Sequence, residues 1–220
     1  MVNTKFFATL SLALVLTLLL ALGLTVISGR AAQAQVAQKT PAENVRERAL
    51  LERLAKDPYW DGFALKAQGD CPEAIKHLRP LAELGLGYED AQVALAECLL
   101  EAAGIADIDA SAQRAEAVEI NDAKVFEDAL SWIQKAANTG NFKAQGLRVL
   151  LYVTQVSPET TPIEAATWAH LYLTNPQRLT LGAPLEIEGP INNLKAGLTS
   201  DDWLIGKERA RQWVATFETP

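Results

Sequence analysis

The chain reads as an all-α protein, an α-solenoid of antiparallel helix pairs with capping helices at both ends. Composition is the first sign: Ala and Leu dominate, aromatics are few, and β-branched runs are scarce, which favours helix. The second is the stretch from Glu127 to Gln155, EDALSWIQKAANTGNFKAQGLRVLLYVTQ. It sets Ala129, Trp132 and the pair Ala136-Ala137 before a break at Gly140, then Ala144-Gln145 and Tyr152 after it. At helical period this gives two antiparallel helices, with small residues where the backbones approach and Trp132 as the large knob beside them. The third is internal repetition. Ala74, Leu81-Ala82 and Gly85 match Ala129, Ala136-Ala137 and Gly140 at a constant offset of 55, and Ala91-Gln92 matches Ala144-Gln145 at 53. Ala129 and Trp132 match Ala165 and Trp168 at an offset of 36, near the period of helix-pair solenoids.

Residues 1–34 read as a signal peptide. Lys5 forms a short basic start, Phe6 to Ser28 is a continuous apolar run, and Ala32-Gln33-Ala34 supplies a small-x-small site for cleavage between Ala34 and Gln35. The run is also long enough to span a bilayer, so an uncleaved anchor at residues 6–28 in the inner membrane is the alternative. Either way the folded part is expected outside the cytoplasm, periplasmic or secreted. The formal charge is −7; without Lys5 and Arg30 it becomes −9, with 18 basic residues against 27 acidic. That balance argues against nucleic acid as a partner, which needs a basic face.

Residues 35–69 read as a linker and N-terminal capping helices. Thr40-Pro41-Ala42-Glu43 starts a helix carrying Val45, Ala49, Leu50 and Leu54 on one face, and Asp57-Pro58 stops it. Tyr59-Trp60 and Phe63 begin a second, ending near Gly69. Repeats are expected over 70–198, in pairs at about 70–104, 123–156 and 161–197. Asp70-Cys71-Pro72-Glu73 caps a helix to about Leu84, with Pro80 inside it to kink it or loosen the bond back to Lys76. Gly85 to Asp90 is the turn and Ala91 to Ala103 the return, closed by Gly104. Residues 105–122 form an insertion without a packing stripe, holding a short helix around Ser111 to Val118; its acidity makes it a candidate specificity loop. Ser157 to Thr161 connects to a third pair. Thr161-Pro162-Ile163-Glu164 opens it, Trp168 and Tyr172 carry it, and Asn175-Pro176 ends the first helix. Gln177 to Gly189 is expected as a long, partly ordered connection, with a short helix from Pro190 to Ala196. Residues 199–220 close the array as a C-terminal capping helix with Trp203, Ala210, Trp213, Val214 and Phe217 on its apolar face.

These residues resemble the Sel-one-like repeat (SLR) family, relatives of the tetratricopeptide repeat, whose pattern is roughly A-x-x-W-x-x-x-A-A-x-x-G-x-x-x-A-Q-x-x-L-G-x-x-Y. The second pair carries Ala129, Trp132, Ala136, Ala137, Gly140, Ala144, Gln145 and Tyr152, with Arg148 and Val149 at the L-G positions. The first carries Ala74, Ala82, Gly85, Ala91, Gln92 and Leu95, with Ala96 for Gly, His77 for Trp and Leu99 for Tyr. The third keeps Ala165 and Trp168, and the tail LTSDDWLIGKERARQWVATF looks like the closing helix of bacterial members. The resemblance implies a solenoid for protein contacts, a scaffold or adaptor, and no chemistry.

Cys71 and Cys98 are the only cysteines, an even count in an exported chain. The antiparallel turn brings them to within about one helical turn, and secreted SLR members staple their pairs in this way. Two buried free thiols are the alternative. Closing the 27-residue separation would stabilise by about 3.5 kcal/mol in the chain-entropy model. His77 and His170, the only histidines, stand in no ligand spacing and read as packing residues; neither a metal nor a cofactor is expected. Trp60 is the tryptophan expected at the surface. The pairs Glu127-Asp128 and Asp201-Asp202 read as helix-start carboxylates.

The expected function is therefore an exported helical-repeat scaffold or adaptor in the cell envelope, with protein partners and no catalytic residue. Two readings of other classes stand beside it. An envelope enzyme or small-molecule binder would use ionisable groups such as His77, His170 or Glu97 in a pocket. A membrane-anchored structural element would keep residues 6–28 uncleaved.

Overall fold

The computed structural model describes residues 58–156 and 160–216. The signal segment, the Ala34–Gln35 site, the helix expected from Thr40 to Leu54, the connection at Ser157 and the Phe217 side chain lie outside the described residues. Those described form helices and no strand: α1 Pro58–Ala67, α2 Cys71–Ala82, α3 Glu89–Ala102, α4 Ile108–Gln113, α5 Ala123–Asn138, α6 Phe142–Val153, α7 Pro162–Thr174, α8 Pro176–Leu181, α9 Glu188–Gly197 and α10 Ser200–Gln212. The described part of the chain is all-helical. No helix among the described residues is long and apolar enough to cross a membrane.

Local chemistry sets where most of these helices begin. Side chains of Asp70, Asp107, Asp122, Asn141, Thr161, Asn175 and Thr199 accept backbone N–H bonds in the first turns of α2, α4, α5, α6, α7, α8 and α10. Each such cap stabilises by roughly 1 kcal/mol. Pro80 falls in the last turn of α2 with its ring exposed, so the missing N–H removes one bond two residues before the helix stops at Ala82. Gly85 and Gly140 lie in the turns that follow α2 and α5 with φ of +81° and +96°, a left-handed conformation that suits glycine.

Tertiary packing follows chain order. Helix α1 packs on α2, α2 on α3, α3 on α5, α5 on α6, α6 on α7, and α7 on α10, while α4, α8 and α9 lie against α6 and α7. The small residues singled out by the internal alignment sit at these contacts. Ala74, Ala82, Ala91, Ala129, Ala136, Ala137, Ala144 and Ala165 are 0–1% exposed, which only a methyl-sized side chain allows where backbones come this close. Trp132 and Trp168 are buried beside them and Tyr152 is half-buried. Gln92, buried, donates from Nε2 to the Ala82 carbonyl at 3.2 Å, and buried Gln145 accepts from Asn175 at 2.9 Å. The sulfurs of Cys71 and Cys98 stand at disulfide distance with Cα atoms 5.1 Å apart. The bridge ties the first residue of α2 to the last turns of α3, as antiparallel helices require.

Several expectations are corrected. Residues 105–122 are not free of packing: Ile105, Ile108 and Ala112 are buried, the Asn121 N–H bonds the Ala103 carbonyl, and the Val118 N–H bonds that of Thr154. Their helix is α4, three residues earlier than expected, because Asp107 caps it and Ala115, at φ +52°, breaks it. The connection from Gln177 to Gly189 contains α8, and α9 starts at Glu188 instead of Pro190. Arg178 organises it, donating to the carbonyls of Tyr172, Leu173 and Ala183 from a buried position. Helix α5 starts at Ala123 on the Asp122 cap, so Glu127-Asp128 lies in its second turn, and Asp128 pairs with Arg79 of α2 at 2.7 Å. On α10 Gly206 makes the closest approach to α7, and Trp203 and Ala210 of the expected apolar face pack against the core beside it, as does Trp213 just past the helix end; Val214 is exposed.

Candidate functional site

One side of α3 forms the floor of a groove, with Val93, Ala94 and Leu100 buried at its base and Asp90, Glu97 and Glu101 reaching the surface. Asp90, Val93, Ala94, Glu97, Leu100 and Glu101 fall at intervals of three and four residues, so they share one side of the helix. Helix α1 supplies one wall through Tyr59, Trp60, Phe63, Lys66 and Ala67, and α6 supplies the other through Lys143 and Leu147. Residues Ile105 to Asp109 close the far end. Two hollows of about 280 and 240 Å³ result, and they share Lys66 and Glu97.

The two ends differ in chemistry. At the α1 end, Tyr59, Trp60 and Phe63 form an aromatic shelf, with ring centroids 4.8 Å apart for Tyr59–Trp60 and 5.7 Å for Trp60–Phe63. Tyr88 extends it, 6.0 Å from Tyr59. Trp60 is 43% exposed, in line with the sequence reading. At the α4 end, Glu101, Asp107 and Asp109 gather. Desolvation, then the carboxylates of Glu97, Asp107 and Glu186, push the Asp109 carboxyl above its ordinary value. Between the ends Lys66 and Glu97 make an ion pair at 2.8 Å.

The histidines stand apart from this groove and from each other's surroundings. His77, expected as a packing residue in the place of Trp132, is exposed, 4.0 Å from Glu73. A polar ring at that register turns to water because α1 covers α2 at Gly62 and Leu78 instead, where an added Cβ on Gly62 would meet Leu78 Cγ at 2.7 Å. His170 is buried in the α7–α10 contact, its ring tilted at 50° against that of Trp203 with centroids 4.3 Å apart. Burial holds its pKa below the usual value, and the charges of Lys207, Lys195 and Arg211 act in the same direction against a backbone bond to Trp203. Neither histidine lines the groove with Glu97. No set of three or more His, Cys, Asp or Glu among the described residues could hold a metal ion.

Three placements were not foreseen from sequence. Buried Arg148, at one of the two departures from the repeat pattern, pairs with Glu164 of α7 at 2.9 Å and lies 5.8 Å from the Trp168 ring centre. Asn175, read as a stop, also donates to the Gly140 carbonyl at 2.8 Å and so ties the α7–α8 corner to the α5–α6 turn. The α3 stripe of Asp90, Glu97 and Glu101 was legible as spacing, but nothing in the spacing says that this side stays uncovered. Comparison with protein-family models, with curated proteins and with solved structures finds no match for this chain.

Proposed function

We propose that this chain is an exported helical-repeat protein of the SLR type that serves as a protein-interaction scaffold or adaptor in the cell envelope. In this reading α2–α3, α5–α6 and α7–α9 are the repeat pairs of a short solenoid, α1 and α10 are its caps, and the signal peptide is removed after Ala34. The observation that carries it is the coincidence of the internally matched residues with the closest helix contacts. Ala74 and Ala129, Ala82 and Ala137, and Ala91 and Ala144 are buried to the same degree at matched helix positions, as stacked copies of one unit would have them. A cysteine pair at disulfide distance hints at an oxidising compartment and so at export. An interface built on packed helices is preformed, and binding there costs little ordering entropy.

The test is cross-linked affinity capture from an envelope extract, using protein expressed from the full-length chain, with the parent beside Trp60→Ala and Trp60→Glu. A partner retained by the parent and lost in both variants, at unchanged thermal stability, supports the adaptor. Equal capture by all three removes the groove from the reading, and no reproducible partner removes the adaptor. Deleting residues 105–122 is unsuitable as a test, since Ile105, Ile108 and Ala112 belong to the core.

A further inference from the structure

We infer that the groove along α3 takes an extended, cationic segment of a protein partner, with an apolar side chain on the Tyr59–Trp60–Phe63 shelf and a Lys or Arg at the α4 end. The inference rests on the adaptor reading and names the chemistry of what that groove holds.

Three observations converge on it. The two hollows meet at the Lys66–Glu97 pair and follow one another along α3, from Asp90 to Glu97 and from Glu97 to Glu101, an arrangement that suits a chain segment more than a compact ligand. The carboxylates of Asp90, Glu97, Glu101, Asp107 and Asp109 outnumber the ammonium groups of Lys66 and Lys143. Lys66 is committed to Glu97, Lys143 lines the α1 end with Asp90, and among the described residues no cation besides Lys66 lines the hollow with Glu101, Asp107 and Asp109, so the excess negative charge lies at the α4 end. There desolvation and then the carboxylates of Glu97, Asp107 and Glu186 hold the Asp109 carboxyl above its ordinary value, and an incoming cation would offset the repulsion among these carboxylates. The opposite end is apolar and aromatic, with the partly exposed Trp60 indole beside Phe63 to receive an aliphatic or aromatic side chain. One segment carrying both features would satisfy both ends at once.

The experiment titrates protein expressed from the full-length chain with a short synthetic peptide of alternating lysine and leucine and with its glutamate counterpart. Binding is read by calorimetry at physiological salt. The lysine peptide is expected to bind and the glutamate peptide not to. Glu101→Lys and Trp60→Ala should each weaken binding by about tenfold or more, the loss of one well-made contact. Glu127→Lys, an equal charge change on the exposed side of α5, should leave it unaltered. All three positions are exposed, so folding is expected to survive and is checked by thermal melting. Equal weakening by Glu101→Lys and Glu127→Lys would mean diffuse attraction to an acidic protein and would overturn the inference, as would binding of the glutamate peptide. An envelope partner that needs Trp60 yet ignores Glu101→Lys would overturn the cationic segment and leave the adaptor standing. Conversely, the expected peptide results with no envelope partner would remove the adaptor and leave the groove's chemistry.

Discussion

Replacing Gly206 by Ala tests the contact between α7 and α10 directly. An ideal Cβ at this position would come within 2.9 Å of both the Ala166 carbonyl carbon and the Thr167 nitrogen, and closer still to the Ala166 methyl. Non-bonded carbon atoms settle near 3.5–4.0 Å, so roughly 0.6 Å or more of separation is missing. The opposing atoms are helix backbone and cannot rotate away; α10 has to lift. Overpacking of this kind costs up to about 3 kcal/mol. Ala is favoured over Gly inside a helix by about 1 kcal/mol, which leaves a net loss near 2 kcal/mol. For a chain of this size that lowers Tm by about 4–8 °C. Hydrogen exchange followed by mass spectrometry should localise the effect, with amides of residues 200–212 exchanging faster while α2, α3 and α5 keep their protection. Gly197→Ala is the control, since a Cβ there meets nothing within 4 Å, and it should leave Tm unchanged or slightly raised. A Gly206→Ala protein that melts at or above the parent temperature, with α10 protection intact, would refute the reasoning.

Three further outcomes are expected. Native protein should resist thiol alkylation until reduced, and Cys71→Ser with Cys98→Ser should lose about 3.5 kcal/mol by the chain-entropy relation; labelling of both thiols without reductant would contradict the bridge. Stability should fall with acidification through His170, because its folded pKa lies below 6.5: as pH drops under 6.5 the unfolded chain takes up a proton that the buried ring refuses, and the loss continues down to the folded pKa. His170→Phe should flatten that slope in pH-dependent urea unfolding, and an unchanged slope would assign it to other groups. Arg148→Ala should destabilise by about 1–3 kcal/mol in the same assay, since it strips a buried guanidinium from Glu164 and from the Trp168 face; Arg148→Met, which restores the packing, should recover part of the loss.

Helix identity and helix starts were legible in sequence because they depend on neighbours within one turn. Asp70, Thr161 and Thr199 announce α2, α7 and α10 by cap chemistry. The offset repetition identified the alanines that end up with no exposed surface, since small residues at matched positions reflect backbone approach whatever the partner helix is. The cysteine pair followed from the antiparallel turn between α2 and α3.

What local pattern leaves undetermined is which side of each helix the rest of the chain covers. Residues 105–122 lack a repeating stripe, yet Ile105 and Ile108 find a core because α6 and α9 lie over them, and that requires contacts some 80 residues apart, as in the bonds from Asn193 to the Ala112 and Gln113 carbonyls. His77 shares the register of Trp132 but faces water, because α1 approaches α2 through Gly62 and leaves that ring outside. Asp128 serves α2 through Arg79, not its own helix start. The sequence by itself therefore determined the helical class, the caps of α2, α7 and α10 and the small contact positions, and it favoured the cysteine pair over two free thiols, all consequences of chemistry within a helix or one turn. Only the tertiary structure decided that Asp90, Glu97 and Glu101 of α3 line a groove between α1 and α6, because that depends on how distant helices divide the available surface among themselves.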